Sequence, residues 1–419
     1  MAKFIINGGR KLSGEITVSG AKNNAQIMLP VALLSNETIT LHRVPLIDGV
    51  QKSLELLKNL GAEITNDAGG IKINTSTVKK IELDPQIADK FRTSIMFVGP
   101  LLARLGEVKF PHPGGCVIGA GGRPIDLFLE GFKAMGASVE IDEKYYHLKS
   151  RRLHGCDFFF TTTSVTGTQS LMISACLAAG QTILRNCAME PEIAALADYL
   201  NSQGAKISGA GTPTIMIEGV EKLNAGTFEI IPDRMETGSF ALMAAATNSE
   251  IKITNCNPDH ILSLLAIFDK IGVNYEKGDN YLLMKKSDNI RPYNLRTHEY
   301  PGFPTDLQSP YVVLMTQAHG QALIQETIYD RRLIWTDMLS QMGANIIMCD
   351  PHRVVISGPT KLYGKKLISP DIRAGIALII AALIAEGQTE IDNIYQIDRG
   401  YEKLDERLRS LGADISRID

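Results

Sequence analysis

The feature that most constrains the fold is a repeat of about 70 residues that runs through the whole chain. Six segments with apolar residues at helical spacing each end in a glycine that is followed by a small residue. Glycine adopts the left-handed conformation at a helix C-terminus without steric cost, so each glycine predicts a helix end. The six motifs are Leu60-Gly61-Ala62, Met135-Gly136-Ala137, Gln203-Gly204-Ala205, Ile271-Gly272-Val273, Met342-Gly343-Ala344 and Leu411-Gly412-Ala413.

Each repeat has the same predicted order of elements. A run of small and apolar residues such as Ala374–Ala385 predicts a buried helix, and a short alternating segment such as Thr389–Ile391 predicts a strand. An amphipathic helix such as Ile193–Leu200 follows, and a second strand comes after the glycine. Because one core rarely serves more than roughly 250–300 residues, six such units favour an α/β protein of two groups of three. Periodicity alone is also compatible with a scaffold that carries no chemistry.

The composition indicates a soluble globular protein of ordinary type. A net charge of −3, one Trp and 6% aromatic residues argue against a nucleic-acid surface, which needs basic and stacking residues. The most apolar stretch spans about a dozen residues, whereas a membrane helix needs about 20. The N-terminus lacks the apolar region of a signal peptide, and the six cysteines form no C-x-x-C pair. We therefore expect a cytoplasmic protein that neither enters a membrane nor binds structural zinc.

Charged residues recur at the predicted starts of the buried helices. Lys22, Arg92, Arg234 and Arg373 lie where the positive end of a helix dipole disfavours a cation. An anion or an acidic side chain close to each of them would compensate. Solvated caps or ion pairs explain any single case, but recurrence in several units predicts a substrate with several negative charges.

A second set of polar residues follows the short strand of four repeats: Cys116, Glu190, Arg332 and Arg399. The loop at residues 111–124 contains five glycines around Cys116, which is typical of backbone that approaches a ligand. A thiol in this setting predicts a reactive cysteine or an acid. The sequence Gly119-Ala120-Gly121 is not a dinucleotide fingerprint, because no buried strand precedes it.

Eight segments of the chain resemble motifs of the enolpyruvyl transferases that act on UDP-N-acetylglucosamine, and they occur in the family's order over the full length. The segments are Ser19–Asn23, Arg92–Ile95, Pro113–Cys116, Glu190–Ile193, Pro232–Gly238, Phe303–Asp306, Asp371–Ala374 and Ile397–Glu402. The relative that makes a shikimate-derived enol ether is less similar at the cysteine loop and at Phe303–Asp306.

The resemblance implies two inside-out α/β barrel domains with three repeats in each. The implied C-terminal domain comprises residues 1–20 plus 231–419, and the N-terminal domain comprises residues 21–230 with the cysteine loop 111–124. The implied reaction transfers the enolpyruvyl group of phosphoenolpyruvate to the sugar 3′-hydroxyl and releases phosphate, as the first committed step of peptidoglycan synthesis. No metal or organic cofactor is implied.

The resemblance also assigns roles to individual residues. Cys116 is expected to protonate carbon 3 of phosphoenolpyruvate and to be alkylated by the epoxide fosfomycin, and Asp306 is expected to accept the proton of the sugar hydroxyl. Lys22 and Arg399 complete the implied catalytic set. Phosphoenolpyruvate is expected to contact Lys22, Arg123, Arg332, Arg373 and Arg399. UDP-N-acetylglucosamine is expected to contact Asn23, Arg92, Pro124, Ile125, Asp126, Leu127, Ser164, Val165, Thr305 and Asp306. Asp233 and Glu190 match charged residues that lie farther from phosphoenolpyruvate in the family.

Three departures from the family pattern concern the acceptor side. Gly121 and Gly122 are extra residues before Arg123, Phe128 replaces an expected histidine, and Thr162 replaces an expected lysine. Because of these departures, an enolpyruvyl transferase that acts on another nucleotide-sugar acceptor remains an alternative. A non-catalytic nucleotide-sugar binder is a further alternative, but it would need neither the acid Cys116 nor the base Asp306.

Overall fold

The computed structural model describes residues 2–67, 70–112 and 125–418. The chain divides into two compact units, each with its own hydrophobic core. Residues 20–112 and 125–231 belong to the first unit, and residues 2–19 and 232–418 to the second. The second unit is therefore built from two separate stretches of the chain.

The strands are short, most of them three to six residues long. In chain order they are β1 (Lys3–Asn7), β2 (Ser13–Thr17), β3 (Ile39–His42), β4 (Glu63–Asp67), β5 (Gly70–Asn74), β6 (Glu107–Pro111), β7 (Ser138–Ile141), β8 (Tyr145–Lys149), β9 (Asp157–Phe159), β10 (Gln181–Arg185), β11 (Lys206–Ser208), β12 (Thr214–Glu218), β13 (Thr227–Glu229), β14 (Glu250–Thr254), β15 (Tyr275–Lys277), β16 (Tyr281–Met284), β17 (Leu295–Arg296), β18 (Gly320–Gln325), β19 (Asn345–Asp350), β20 (Arg353–Gly358), β21 (Lys366–Ile368), β22 (Gln388–Asp392) and β23 (Asp414–Ile418).

The helices alternate between buried and partly exposed ones. They are α1 (Lys22–Val31), α2 (Asp48–Leu60), α3 (Pro85–Ala88), α4 (Val98–Leu105), α5 (Asp126–Ala134), α6 (Val165–Ala175), α7 (Pro191–Ser202), α8 (Arg234–Ala246), α9 (Leu262–Ile271), α10 (Thr305–Met315), α11 (Thr336–Gln341), α12 (Ile372–Ile384), α13 (Tyr395–Asp398) and α14 (Leu404–Ser410). Short 3₁₀ helices span Ala32–Leu34, Arg92–Phe97 and Pro258–Ile261.

Within the residues that the structure describes, six small sheets repeat one topology. Five have four strands, in which a parallel pair is extended by two antiparallel strands, as in β17-β18-β20-β19. In the sixth, β6-β8-β7, a single parallel bridge between Glu82 and Lys109 lies where the other sheets have a parallel strand. The predicted sixfold repeat of helix and strand is thus confirmed in three dimensions.

The predicted apolar runs form the buried helices of each core. Every residue of α8 is buried, as are residues 373–383 of α12, and α10 packs against both helices. In the other unit α4 packs against α6, and α1 packs against the 3₁₀ helix that precedes α4. Helices that are apolar on all sides lie inside a core, because no face of them suits water.

The glycines that define the repeat all have the predicted backbone conformation. Their φ angles are +105° at Gly61, +86° at Gly136, +102° at Gly204, +83° at Gly272, +107° at Gly343 and +94° at Gly412. This is the left-handed region, which side chains with a Cβ atom rarely adopt. The prediction of helix ends at these six positions is confirmed.

The repeat contains more strands than the sequence predicts. After the glycine the chain forms a hairpin of two strands, such as β19 and β20, where the sequence predicts one. In the last repeat the second hairpin position is taken by β1, which pairs with β22 and β23 from the other end of the chain. Three-residue strands such as β11 leave too short an alternating pattern to be recognised. Within the described ranges, no helix combines the length and apolarity needed to cross a membrane.

Candidate active site

A carboxylate held by two buried arginines lies at the start of α10. Arg332 donates from Nη2 to Oδ1 of Asp306 at 3.0 Å. Arg373 donates to Oδ2 of Asp306 from Nε at 3.0 Å, and its Nη2 lies 2.9 Å from the same oxygen. The Asp306 side chain is 29% exposed, whereas those of Arg332 and Arg373 are 2% and 7% exposed. The structure therefore brings three predicted site residues together and leaves the carboxylate accessible.

The acidic partner expected for Arg373 at its helix start is thus Asp306. Burial alone lowers the pKa of the Arg373 guanidinium, but the charges of Asp306 and Asp233 raise it, and the net direction is upward. The pKa of Arg332 is also raised, because Asp306, Asp371 and Glu326 together outweigh the opposing effect of burial. Both arginines therefore stay cationic at any ordinary pH.

A second set of hydrogen bonds holds Arg332 through Thr305 and through Glu326, which lies in the loop after β18. Arg332 donates from Nη1 to Oγ1 of Thr305 at 2.7 Å, and that hydroxyl donates to Oε2 of Glu326 at 2.8 Å. The other oxygen of Glu326 accepts backbone N–H bonds from Ile328 at 2.8 Å and Tyr329 at 3.1 Å. Glu326 is 1% exposed, so a buried carboxylate ties the Arg332 loop to the start of α10.

A third set of hydrogen bonds holds Arg373 through Tyr401, which lies in the segment between α13 and α14. The hydroxyl of Tyr401 accepts from Nη1 of Arg373 at 3.1 Å and lies 2.9 Å from Oγ of Ser239 on α8. Asp371 caps α12 by accepting from the backbone N–H groups of Arg373 at 2.7 Å and Ala374 at 2.9 Å. The backbone of Arg373 is therefore fixed at the helix start, and its side chain is held at the far end of the guanidinium.

The arrangement suits proton acceptance by Asp306. Its two oxygens each accept from a guanidinium, which orients the carboxylate, while the exposed part can meet a ligand hydroxyl. Arg399, at the end of α13, is half-buried and donates from Nη1 to Oε1 of Gln396 at 2.8 Å. The hydrogen bonds that join Asp306 to Arg332 and Arg373 do not include Arg399.

The predicted residues of the other unit lie at helix starts. Lys22 and Asn23 open α1, half-buried and exposed respectively, and Arg92 opens a 3₁₀ helix and is half-buried. Ser164 caps α6 by accepting from the backbone N–H of Gly167 at 3.1 Å, and Val165 is the first helical residue.

The start of α5 carries the remaining described residues of the predicted acceptor set. Ile125 is buried, Asp126 is exposed and Leu127 is half-buried. Phe128, at the position of an expected histidine, is 3% exposed and belongs to the hydrophobic core. Thr162, at the position of an expected lysine, is exposed. Cys116, Arg123 and Pro124 lie outside the described residues.

The cysteines that the structure describes differ from the setting predicted for Cys116. Burial raises the pKa of the Cys176 thiol to about 12. It raises the pKa values of Cys187 and Cys256 to about 11, where hydrogen bonds oppose it in part. Cys156 is half-buried and Cys349 is exposed, and all five are free thiols. Among residues 2–67, 70–112 and 125–418, no group of three or more His, Cys, Asp or Glu side chains is arranged to hold a metal ion.

Sequence reasoning missed the supporting residues of the Asp306 site. Glu326 directly follows a strand, the same kind of position as the polar loop residues, and Tyr401 lies within the motif Ile397–Glu402, so both could have been singled out. A second buried ion pair was also missed: Arg407 donates to Oε1 and Oε2 of Glu236 at 2.7 and 2.9 Å. Burial raises the pKa of Glu236, and Arg407 opposes that shift.

Comparison with known proteins identifies the family. Residues 6–408 match the family model described as EPSP synthase (3-phosphoshikimate 1-carboxyvinyltransferase). The chain is 41% identical over 418 residues to a UDP-N-acetylglucosamine 1-carboxyvinyltransferase of Desulforapulum autotrophicum, covering 100% of both chains. It is 42% identical, with the same coverage, to the protein of that name from Desulfatibacillum aliphaticivorans. The chain belongs to the enolpyruvyl transferase family. The family resemblance seen in the eight sequence motifs is confirmed.

Solved structures confirm the fold class of this enolpyruvyl transferase. The enolpyruvyl transferase NikO from Streptomyces tendae superposes with a TM-score of 0.91 at 22% identity, covering 99% of this chain and 98% of the other. An EPSP synthase from Acinetobacter baumannii superposes with a TM-score of 0.76 at 16% identity, covering 100% of both chains. The predicted α/β architecture of six repeats is that of the enolpyruvyl transferases.

Proposed function

We propose that this enolpyruvyl transferase moves the enolpyruvyl group of phosphoenolpyruvate to the 3′-hydroxyl of UDP-N-acetylglucosamine and releases phosphate. The observation that carries the proposal is Asp306, a partly exposed carboxylate whose two oxygens each accept from a buried arginine. The names and 41–42% identity of the full-length relatives support the acceptor. We also propose that the enzyme works in the cytoplasm, in the first committed step of peptidoglycan synthesis.

The proposed chemistry needs one acid and one base. Asp306 accepts the proton of the sugar 3′-hydroxyl while that oxygen bonds to carbon 2 of phosphoenolpyruvate, and Cys116 donates a proton to carbon 3. The resulting tetrahedral intermediate then loses a proton from carbon 3 and expels phosphate, which restores the double bond in the product. Because two guanidiniums already hold the Asp306 carboxylate in place, little further orientational freedom has to be lost before it accepts the proton.

The proposed donor site is cationic because phosphoenolpyruvate carries a phosphate and a carboxylate. We assign it Lys22, Arg123, Arg332, Arg373 and Arg399. The acceptor site, formed with Thr305 and Asp306, is assigned the further residues Asn23, Arg92, Pro124, Ile125, Asp126, Leu127, Ser164 and Val165. The proposal keeps the domain boundaries implied by the family, residues 21–230 and residues 1–20 plus 231–419.

The first experiment measures phosphate release from phosphoenolpyruvate with and without UDP-N-acetylglucosamine. We expect release that depends on the sugar nucleotide. Cys116→Ser and Asp306→Ala should abolish it or reduce it severely, whereas Cys349→Ser, which changes an exposed thiol outside the motifs, should leave it unchanged. Fosfomycin should add its mass at Cys116. Normal turnover of both site variants would contradict the proposed acid and base.

A different nucleotide-sugar acceptor is a second candidate. The observation that favours it is Phe128, which presents an apolar buried ring where the family pattern has a histidine. Radiolabelled phosphoenolpyruvate offered with a panel of UDP-sugars distinguishes the two candidates. A folded protein that labels another sugar nucleotide faster than UDP-N-acetylglucosamine would establish the second one.

A further inference from the structure

Tyr401 is one of the largest fully buried side chains, yet its hydroxyl contacts the charged network rather than the apolar core alone. It accepts from Nη1 of Arg373 at 3.1 Å and lies 2.9 Å from Oγ of Ser239. A guanidinium can only donate, so the free proton of the phenol is available to Ser239. Burial raises the pKa of Tyr401, against the effects of Arg373 and Ser239, so the phenol keeps its proton at neutral pH.

Tyr401 completes the hydrogen bonding of Arg373. Nε and Nη2 of Arg373 contact Oδ2 of Asp306 at 3.0 and 2.9 Å, and Nη1 contacts Tyr401. All three nitrogens of this guanidinium are therefore engaged. Because the group is planar, a partner at Nη1 fixes the direction in which Nε and Nη2 point.

We propose that Tyr401 is a positioning residue for Asp306 and acts through Arg373. The inference rests on the proposed function, in which Asp306 accepts the proton of the acceptor hydroxyl. Without the phenol oxygen, Arg373 can turn in its plane and carry Oδ2 of Asp306 with it. Small displacements of a reacting group lower the rate of the chemical step steeply, whereas substrate affinity depends on many other contacts.

The chain provides a matched control in Tyr311. Its side chain is as fully buried as that of Tyr401, and its hydroxyl donates to the backbone oxygen of Tyr293 at 2.9 Å. Tyr311 lies on α10 within the same unit, but its hydroxyl does not contact an arginine of the network. Tyr311→Phe therefore reports the general effect of removing a buried phenolic oxygen.

The experiment compares steady-state kinetics of wild type, Tyr401→Phe, Tyr311→Phe and Ser239→Ala with both substrates varied. We expect Tyr401→Phe to lower kcat by about 10- to 100-fold with KM values within about threefold of wild type. Tyr311→Phe should stay within about twofold of wild type in kcat. Ser239→Ala, which removes only the second partner of the phenol, should lower kcat by a smaller factor in the same direction.

The remaining outcomes are also decisive. Equal kcat values for Tyr401→Phe and Tyr311→Phe would overturn it, and so would a rise in KM at unchanged kcat, which indicates a binding role. If Tyr401→Phe fails to give a native circular dichroism spectrum, Ser239→Ala decides: wild-type kcat overturns the inference and a lowered kcat upholds it. Absence of turnover in the wild type would instead remove the proposed function, and this inference with it.

Discussion

Removal of the Asp306 carboxylate should destabilise the unit that contains it, independently of any substrate. In Asp306→Ala the guanidiniums of Arg332 and Arg373 would keep their charge, because arginine does not lose its proton at any ordinary pH. Their side chains are 2% and 7% exposed, so water can compensate only in part. Two like charges would then face each other across the space that the carboxylate occupied.

The expected loss follows from the burial of the three groups. Breaking a buried ion pair by removing one partner costs about 3–5 kcal/mol. The Asp306 side chain is 29% exposed, so screening by water reduces the expected loss of unfolding free energy to about 2–4 kcal/mol. For a unit of this size, that loss corresponds to a fall in melting temperature of roughly 4–16 °C.

Asp398 is the matched control. Its side chain is also 29% exposed and forms two hydrogen bonds to Arg417, at 3.0 and 2.8 Å, but Arg417 is 33% exposed. Asp398→Ala should therefore cost only about 0–1 kcal/mol. Differential scanning calorimetry of both variants measures the difference directly. Equal melting temperatures for the two variants would refute the claim that burial of the guanidiniums makes the Asp306 contacts strong.

Two further predictions concern thiol reactivity and the helix ends. Because burial raises the pKa of each buried thiol to about 11 or 12, the nucleophilic thiolate is scarce below that pH. Iodoacetamide at pH 8 should therefore label Cys349 in the native protein and spare Cys176, Cys187 and Cys256; peptide mass mapping that finds Cys187 labelled as fast as Cys349 would contradict this. Gly204 has φ +102° and no atom within 4 Å of an added Cβ, so Gly204→Ala should cost about 1–2 kcal/mol through backbone strain alone, and Gly204→Asn should cost less. Urea unfolding measures both, and wild-type stability of the alanine variant would show that the left-handed conformation is not required there.

The features that were predictable from the sequence are the periodic ones. Helix ends at Gly61 or Gly412 follow from a local property, the freedom of glycine at positive φ, and the buried helices follow from runs of apolar residues. The sheets were predicted incompletely, because strands as short as β11 carry too little alternation to be recognised, and because some pairs, such as β2 with β14, join distant parts of the chain. The pairing of β1 with β22 and β23, for example, leaves no signal in either segment alone.

In the candidate site, too, some residues could be predicted from the sequence, whereas the contacts between them could not. Arg332 and Arg373 were singled out because each occupies a recurrent position of the repeat, and Asp306 because it lies in a family motif. Their mutual contacts depend on how α10, α12 and the loop after β18 pack. Glu326 and Tyr401 act through partners 21 and 28 residues away in sequence, Thr305 and Arg373. Such partners are specified by tertiary packing, so composition and spacing do not reveal them.

The two-part construction of the second unit has a consequence for synthesis of the chain. Strand β1 leaves the ribosome long before its partners β22 and β23, because β22 begins 381 residues after β1 ends. At typical translation rates of about 5–20 residues per second, β1 waits roughly 20–80 s for them. During that time its backbone lacks its native partners, and an unpaired strand edge is a template for association with other chains. The described residues of the first unit, 20–112 and 125–231, all precede residues 232–418 in the chain, so this unit can fold in the meantime. The yield of soluble protein should therefore depend most on the fate of strand β1.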